Sequence, residues 1–326
     1  MKTLPPFWEI NSAEAFEQVT WINFHHQFEN NPVYRAYCTL LNIAPEDCKV
    51  ISDIPFLPVE LFKSHSISTS EAPITHRFRS SGTSSDQVST HEVRNIDAYE
   101  QSFTQTFEQF YGAPSDWTIL ALLPSYLERD DSSLVYMTQK LMELSGHPEN
   151  GFYLDRLTDL RFKLLELAQE KKKTLLLGVS FALLDLAALG PIELPQTVIM
   201  ETGGMKGRRK EIIRSELHRE LQQAFGVSTI HSEYGMTELF SQAYASSQGR
   251  FHCPPWMRVL GRSTEDPLQI ETTNKQVGLN IIDLANYQSC PFIATQDLGR
   301  IYPDGSFEVL GRFDTADVRG CNLMVF

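Results

Sequence analysis

Arg79-Ser80-Ser81-Gly82-Thr83-Ser84-Ser85 is the stretch on which the reading of this chain turns. From Ser80 to Ser85 it packs four serines, one threonine and one glycine into six positions. A loop of this kind folds backbone N–H groups around an anion and adds hydroxyl donors, and its glycine removes the Cβ that would block close approach. It is not a Walker A loop: GxxxxGKS/T is absent and no lysine follows, Asp86 and Gln87 standing there instead. By itself such a segment reads as a solvated surface loop. Its meaning rests on what surrounds it.

Working outward, the segment up to about Ile74 mixes helical patterns with prolines at Pro32, Pro45, Pro55 and Pro58. Phe103, Phe107 and Phe110 recur at helical spacing and are expected to face a core. From Thr118 the pattern alternates. Thr118 to Leu123, Thr174 to Val179 and Gln196 to Met200 are short apolar runs of the buried-strand type. Leu157 to Gln169 reads as a helix with Leu160, Leu164, Leu165 and Leu167 on or near its apolar side. Lys210 to Phe225 reads as a helix with Ile212, Ile213, Leu217, Leu221 and Phe225 inward and Gly226 as its stop. Beyond Val227 the signals become short strands and tight turns. Pro303-Asp304-Gly305 is expected to join Ile301 to Phe307–Leu310 as a hairpin, because proline presets φ and glycine takes the positive-φ position. The expected fold is α/β: helix-flanked mixed sheets over residues 1–225, then a smaller, mostly β region over 226–326, the border lying within 226–250.

Composition sets the bounds. The 326 residues carry 28 Lys+Arg against 41 Asp+Glu, a net charge of −13, and that field disfavours nucleic acid and anionic membrane as partners. Hydrophobic residues at 42% and charged residues at 21% are ordinary for a soluble domain. The longest apolar candidate, Leu175 to Leu189, is too short to span a bilayer and carries Asp185. The N-terminal MKTLPPFWEI has no h-region of a secretory signal, so a cytoplasmic protein is expected. Five scattered cysteines (Cys38, Cys48, Cys253, Cys290, Cys321) form no CxxC pair and are an odd number, which points to free thiols in a reducing compartment.

Three later segments carry side chains suited to a nucleotide. Tyr234-Gly235-Met236-Thr237-Glu238 follows a short run, and Glu238 offers a hard carboxylate of the sort Mg²⁺ takes together with phosphates. Thr295-Gln296-Asp297-Leu298-Gly299-Arg300 offers Asp297 as an acceptor for two ribose hydroxyls. Gly311-Arg312-Phe313-Asp314 brings a guanidinium. Each in isolation is more ordinarily a turn with an exposed or capping charge. The enzymatic rival is an α/β-hydrolase, since Gly178-Val179-Ser180-Phe181-Ala182 begins like a nucleophile elbow with His231 as a base, but Ala182 stands where glycine is wanted.

Taken together and in order, FRSSGTSS, EYGMTE, QDLGR and GRFDTADVRG resemble the adenylate-forming (acyl-CoA synthetase-like) superfamily, and most closely the LuxE-type acyl-protein synthetases. The resemblance runs from about Arg79 to the C-terminus. It implies a large adenylate-forming core that uses ATP and Mg²⁺ to turn a carboxylic acid, fatty or aryl, into an acyl-adenylate. It implies that Ser80, Ser81, Thr83, Ser84 and the Gly82 backbone cradle the triphosphate, and that Glu238 binds Mg²⁺. Tyr234, Gly235 and Thr237 would lie against adenine and the α-phosphate, with Gly203-Gly204 lining the adenine pocket. Asp297 would take the ribose hydroxyls and Arg312 would steady ribose or phosphate. Lys206 and Arg208 would be further anion contacts, and Leu123-Pro124-Ser125-Tyr126 would line the acyl pocket. Two departures stand out: the lysine usual after the phosphate loop is missing, and, with Phe326 as the last residue, the C-terminal domain that supplies a catalytic lysine in larger relatives is expected to be lacking.

In the acyl-protein synthetase branch a cysteine near the C-terminus accepts the acyl group as a thioester, and Cys321, beside Arg319 and Gly320, fits that place. The implied partner is a reductase or carrier protein that receives or donates the acyl group. Two alternatives stay open: transfer to CoA or a carrier-protein thiol, and a non-catalytic nucleotide- or acyl-binding module built on the same scaffold.

Overall fold

A computed structural model describes residues 6–80, 88–124, 129–203, 213–271 and 275–313. Helix α1 (Ala13–Asn30) starts where the Ser12 hydroxyl accepts a hydrogen bond from the Ala15 N–H, and α2 (Pro32–Leu40) starts with Asn31 capping the Tyr34 N–H and proline in the first turn. The two-residue strand β1 (Leu57–Pro58) follows.

β2 (His76–Arg79) and β3 (Thr90–Val93) then pair antiparallel, with Phe78 opposite His91. α3 (Ile96–Tyr111) buries Tyr99, Phe103 and Phe107, one stripe of an amphipathic helix, while Phe110 is half-buried with its ring 5.5 Å from that of Tyr244.

After α3 the chain alternates: β4 (Thr118–Leu122), α4 (Ser133–Ser145), β5 (Gly151–Phe152), α5 (Leu157–Gln169), β6 (Thr174–Val179), α6 (Ser180–Ala187), β7 (Thr197–Thr202), α7 (Arg214–Phe225), β8 (His231–Tyr234) and β9 (Ala243–Ala245). The sheet order is β5-β4-β6-β7-β8-β9, parallel throughout except for β9. Every residue of β4 and β6 is buried, as strands covered on both faces must be, which is why they read as unbroken apolar runs. The strands and helices expected at 118–123, 157–169, 174–179 and 196–200 are all present.

The helix expected from Lys210 differs at its start. The backbone turns helical only at Arg214, and Ile213 is an extended N-cap that is 66% exposed; residues 210–212 lie outside the described residues. The apolar period continues past the point where the backbone can follow it, because the first turn is set by Arg214, whose guanidinium reaches the buried Glu201 carboxylate at 3.1 Å. Gly226 ends the helix in the left-handed region (φ 59°), where a Cβ would meet the Glu193 carboxylate.

The remaining strands are β10 (Met257–Arg262), β11 (Ile270–Glu271), β12 (Val277–Asp283), β13 (Phe292–Ile301) and β14 (Phe307–Arg312). They form a second sheet, β1-β13-β12-β10-β11, with β14 paired to the far half of β13. The Pro303–Gly305 hairpin is present: Gly305 takes φ 82°, and the Asp304 carboxylate accepts from the Ser306 N–H at 3.0 Å.

The chain divides into two compact units. One comprises residues 1–61, 67–70 and 255–326, the other residues 62–66 and 71–254. In the first, Phe24, Tyr34 and Phe56 surround Phe292 at ring distances of 6.0–6.2 Å, and the Gln27 and Asn31 side chains donate to the carbonyls of Tyr287 and Ser289. The N-terminal helices are thus held to the C-terminal sheet by hydrogen bonds as well as by a shared core. The α/β class, with a parallel helix-flanked sheet and a smaller β-rich part, is as the sequence implies.

Candidate active site

In a parallel sheet all strands point one way, and ligand sites form beyond their carboxyl ends. Here β6, β7 and β8 are followed by Ser180, Gly203 and Gly235, and the strand order reverses at β4. Gly203 and the Tyr234–Glu238 turn therefore follow the carboxyl ends of the neighbouring strands β7 and β8, whereas Ser80 follows β2 of the separate β2–β3 sheet. Gly203 is exposed, with φ 66°, and its carbonyl accepts from the Ser180 hydroxyl at 2.7 Å. Gly204, Lys206 and Arg208 lie outside the described residues, as do Ser125 and Tyr126.

Ser80, the first residue of the Ser/Thr stretch, directly follows β2. The Ser80 N–H donates to the Ser89 carbonyl at 3.1 Å, and the Ser80 hydroxyl oxygen accepts from the Ser89 N–H at 3.1 Å. The Arg79 N–H donates to the Asp131 carbonyl at 2.7 Å. Ser81, Gly82, Thr83, Ser84 and Ser85 lie outside the described residues.

The Tyr234–Glu238 turn leaves β8 with Tyr234 buried, its ring 5.8 Å from that of Phe251. Gly235 is there because a Cβ would come within 2.5 Å of the Glu233 carboxylate. Thr237 is half-buried and Glu238 only 6% exposed. Among the described residues no three His, Cys, Asp or Glu side chains cluster to hold a metal, and Glu238 offers a single carboxylate.

Two further buried carboxylates stand on this edge, and sequence reading missed both. Thr202 and Glu233 are register partners, and the Thr202 hydroxyl donates to Glu233 at 2.5 Å. Burial pushes the Glu233 carboxyl up to about 7, against the Thr202 hydrogen bond and with help from Glu201. Glu201 goes the other way. Burial raises it, but His218 and the Arg214 charge outweigh that and hold it below the usual carboxylate range. No local pattern announces either residue, since each sits in a short strand whose neighbours supply its partners.

The hydrolase alternative loses its parts. Ser180 is 2% exposed and its hydroxyl is taken by the Gly203 carbonyl, while His231 Nδ1 pairs with the Tyr111 hydroxyl at 3.1 Å.

In the smaller unit, Asp297 and Arg312 are register partners across the β13–β14 hairpin, and the Arg312 Nε donates to the Asp297 carboxylate at 3.1 Å. Asp297 is 5% exposed, whereas the Arg312 side chain is 74% exposed. Cys38, Cys48 and Cys290 are buried thiols in this unit; desolvation pushes Cys38 to about 12 and Cys48 to about 11, and raises Cys290 further, which disfavours the thiolate form of all three. Cys321 lies outside the described residues.

The class follows from the fold. The chain superposes on 2-hydroxyisobutyryl-CoA ligase in an open conformation in complex with 2-HIB-AMP and CoA, with a TM-score of 0.67 and 12% identity, covering 94% of this chain and 72% of that one. The same ligase in the thioesterification state gives a TM-score of 0.67 at 13% identity over 95% of this chain and 71% of that one. ATP-bound MatB from Rhodopseudomonas palustris gives 0.54 at 16% identity over 73% of this chain and 48% of that one. At these identities the likeness is one of fold: that of the adenylate-forming ligases, with a smaller β-rich part. The more particular kinship is in sequence. Residues 7–107, which include the Ser/Thr loop, match the family of the acyl-protein synthetase LuxE. That match begins upstream of Arg79, and of the stretch expected to carry the resemblance it covers residues 79–107. No curated protein sequence matches the chain.

Proposed function

We propose that this protein is an acyl-protein synthetase-like ligase that activates a fatty or aryl acid with ATP and passes the acyl group to a thiol. The observation that carries the reading is the placement of the loop base and the Thr237–Glu238 turn in one unit, tied to one hairpin: Ser80 closes the loop at Ser89, and His91, two residues further on, bonds the Thr237 carbonyl at 2.8 Å. Triphosphate donors and a metal-binding carboxylate have to be held at fixed spacing for in-line phosphoryl chemistry.

In this reading Ser80, Ser81, Gly82, Thr83 and Ser84 hold the phosphates, Gly203, Gly204, Tyr234, Gly235 and Thr237 bind adenine and the α-phosphate, and Asp297 and Arg312 bind ribose. Mg²⁺, held by Glu238, supplies charge neutralisation at the phosphates. The substrate carboxylate oxygen attacks the α-phosphorus, and the bond from that phosphorus to the bridging oxygen breaks. Pyrophosphate leaves with the electron pair, and the acyl-adenylate remains. A thiolate then attacks the acyl carbon and AMP leaves, so a thioester forms without any redox step. Cys321 is the proposed thiol. Burial of Cys38, Cys48 and Cys290 leaves it with fewer rivals, and the free state of the described cysteines is in keeping with a reducing cytoplasm.

The test is carboxylate-dependent exchange of labelled pyrophosphate into ATP across a panel of fatty and aryl acids. Exchange with at least one acid is expected; no exchange with any acid sinks the reading. A second reading, transfer to CoA or a carrier-protein thiol, is favoured by the likeness to a ligase described with CoA. Cys321→Ser separates the two: loss of protein-bound labelled acyl with exchange intact assigns the thioester to Cys321.

A further inference from the structure

Asn280 is out of keeping with its neighbours. β12 is buried at every position, and Asn280, between Leu279 and Ile281, is 1% exposed. A carboxamide in such a strand costs stability unless its polar atoms are bonded. Only half of it is bonded. Oδ1 accepts from Arg262 Nη1 at 3.0 Å, and because a guanidinium only donates, that contact fixes which atom of the amide is the oxygen. Nδ2 donates to no group among the described residues. Asn280 lines a cavity of about 300 Å³ that lies wholly within the smaller unit. None of the residues assigned above to nucleotide, metal or acyl group lines it.

The cavity is graded from the inside outward. Ile54, Phe56 and Asn280 are its buried wall, Ile43 and Ile270 are half-buried, and Asp47 and Asp53 stand exposed at the rim. Each rim carboxylate has one oxygen engaged by its own loop. Asp47 Oδ2 accepts from the Ala44 N–H at 2.8 Å, and Asp53 Oδ2 accepts from the Lys49 and Val50 N–H groups at 2.7 and 3.0 Å. These backbone bonds aim the carboxylates and hold the Asp53 carboxyl below its usual range. The nearby Lys49 ammonium donates to the Glu46 carbonyl and to neither carboxylate. Among the described residues, Oδ1 of Asp47 and Oδ1 of Asp53 accept no hydrogen bond.

We propose that this cavity binds a small organic monocation with an apolar body and a carbonyl oxygen. The oxygen accepts from Asn280 Nδ2, the body lies against Phe56 and Ile54, and the cation stands beside Asp47 and Asp53. Each part of the ligand meets what the protein leaves open: a donor without an acceptor inside, apolar walls between, and acceptors without donors at the rim. A cavity of about 300 Å³ is at the small end of ligand sites, which limits the body to about one substituted ring. The paired rim charges repel an anion. The proposal stands apart from the adenylation reading, since the two share no residue.

The experiment titrates the full chain by calorimetry at neutral pH with para-(aminomethyl)acetophenone, which carries a ring, a carbonyl and an ammonium. Benzylamine lacks the carbonyl, acetophenone lacks the ammonium, and para-acetylbenzoate has a negative charge in its place. The ketone amine is expected to bind about tenfold more tightly than benzylamine, the size of one hydrogen bond to a buried donor, and para-acetylbenzoate is expected not to bind. Two variants locate the site. Asn280→Asp keeps the shape and the acceptor for Arg262 but presents oxygen where Nδ2 stands, and is expected to erase the advantage of the ketone amine over benzylamine. Asp47→Asn combined with Asp53→Asn keeps an acceptor for the loop N–H groups and removes both charges. It is expected to weaken the two amines about fivefold and to leave acetophenone unchanged. No measurable binding of the ketone amine, equal binding of para-acetylbenzoate, or an advantage over benzylamine that survives Asn280→Asp overturns the proposal. If Asn280→Asp does not fold, the rim variant decides: loss of the amines' advantage over acetophenone supports the site, and its retention overturns it.

Discussion

The parallel sheet β4–β9 and the β13–β14 hairpin present their candidate groups in opposite ways. On the hairpin, Asp297 and Arg312 face each other through a ladder whose register the Pro303–Gly305 turn sets, so the pair is a local product of the chain. On the parallel sheet, the groups stand on turns beyond strand ends and are held by partners distant in sequence: His91 to Thr237, 146 residues apart, and Ser102 to Ser241, 139 apart. A hairpin site tolerates change elsewhere in the fold. A strand-end site depends on it.

That contrast can be broken most forcefully at Glu238. Glu238→Gln keeps the size of the side chain and removes the charge, and pyrophosphate exchange is expected to fall about 10²–10³-fold, the usual cost of losing one electrostatic contact to a developing phosphoryl charge. Residual exchange within a factor of a few of wild type would show that the turn holds no metal. Asp297→Asn tests the hairpin side. Its expected effect is a rise of roughly tenfold in the KM for ATP with kcat little altered, as for a binding group remote from the reacting phosphorus. Little stability should go with it, because asparagine keeps the size and an acceptor oxygen at this buried position while Arg312, 74% exposed, returns to water.

Smaller effects sharpen the same comparison through stability. Gly226→Ala forces a Cβ into a left-handed position and displaces the Glu193 carboxylate, so a loss of about 1 kcal/mol is expected in urea unfolding, with unaltered exchange kinetics. Glu233 gives a pH signature. The folded protein keeps its proton up to about pH 7, whereas the unfolded chain releases it near the ordinary 4.5. Folding therefore takes up a proton within that window, and the contribution of Glu233 to stability falls as pH rises from 4.5 to 7. Glu233→Gln should flatten that slope in thermal unfolding measured at a series of pH values; an unchanged slope would place the titration elsewhere.

Much of the fold was legible because its signals are local. β4 and β6 are apolar runs with no alternation, α5 is marked by Leu160, Leu164 and Leu167 at helical spacing, and the β13–β14 turn is spelled by proline and glycine. The start of α7 was misjudged for the same reason: an apolar period shows which face is inward and not where the backbone enters the helix. His91, Glu201 and Glu233 were illegible. Each owes its state to neighbours from another element, Thr237 and Phe240 for the first, Arg214 and His218 for the second, Thr202 for the third.

From its own order of residues the chain determined the α/β class, the positions of its central strands, the hairpin that pairs Asp297 with Arg312, and the succession of motifs that resembles the adenylate-forming ligases. Those depend on hydrophobic period and turn chemistry, which act over a few residues. Only the tertiary structure decided that residues 1–61 pack with 255–326, that Ser80 bonds Ser89 beside the paired strands β2 and β3, and that a buried imidazole on β3 bonds the Thr237 carbonyl. Such links are made by long-range packing, in which burial fixes the protonation and direction of a side chain that the local sequence leaves free.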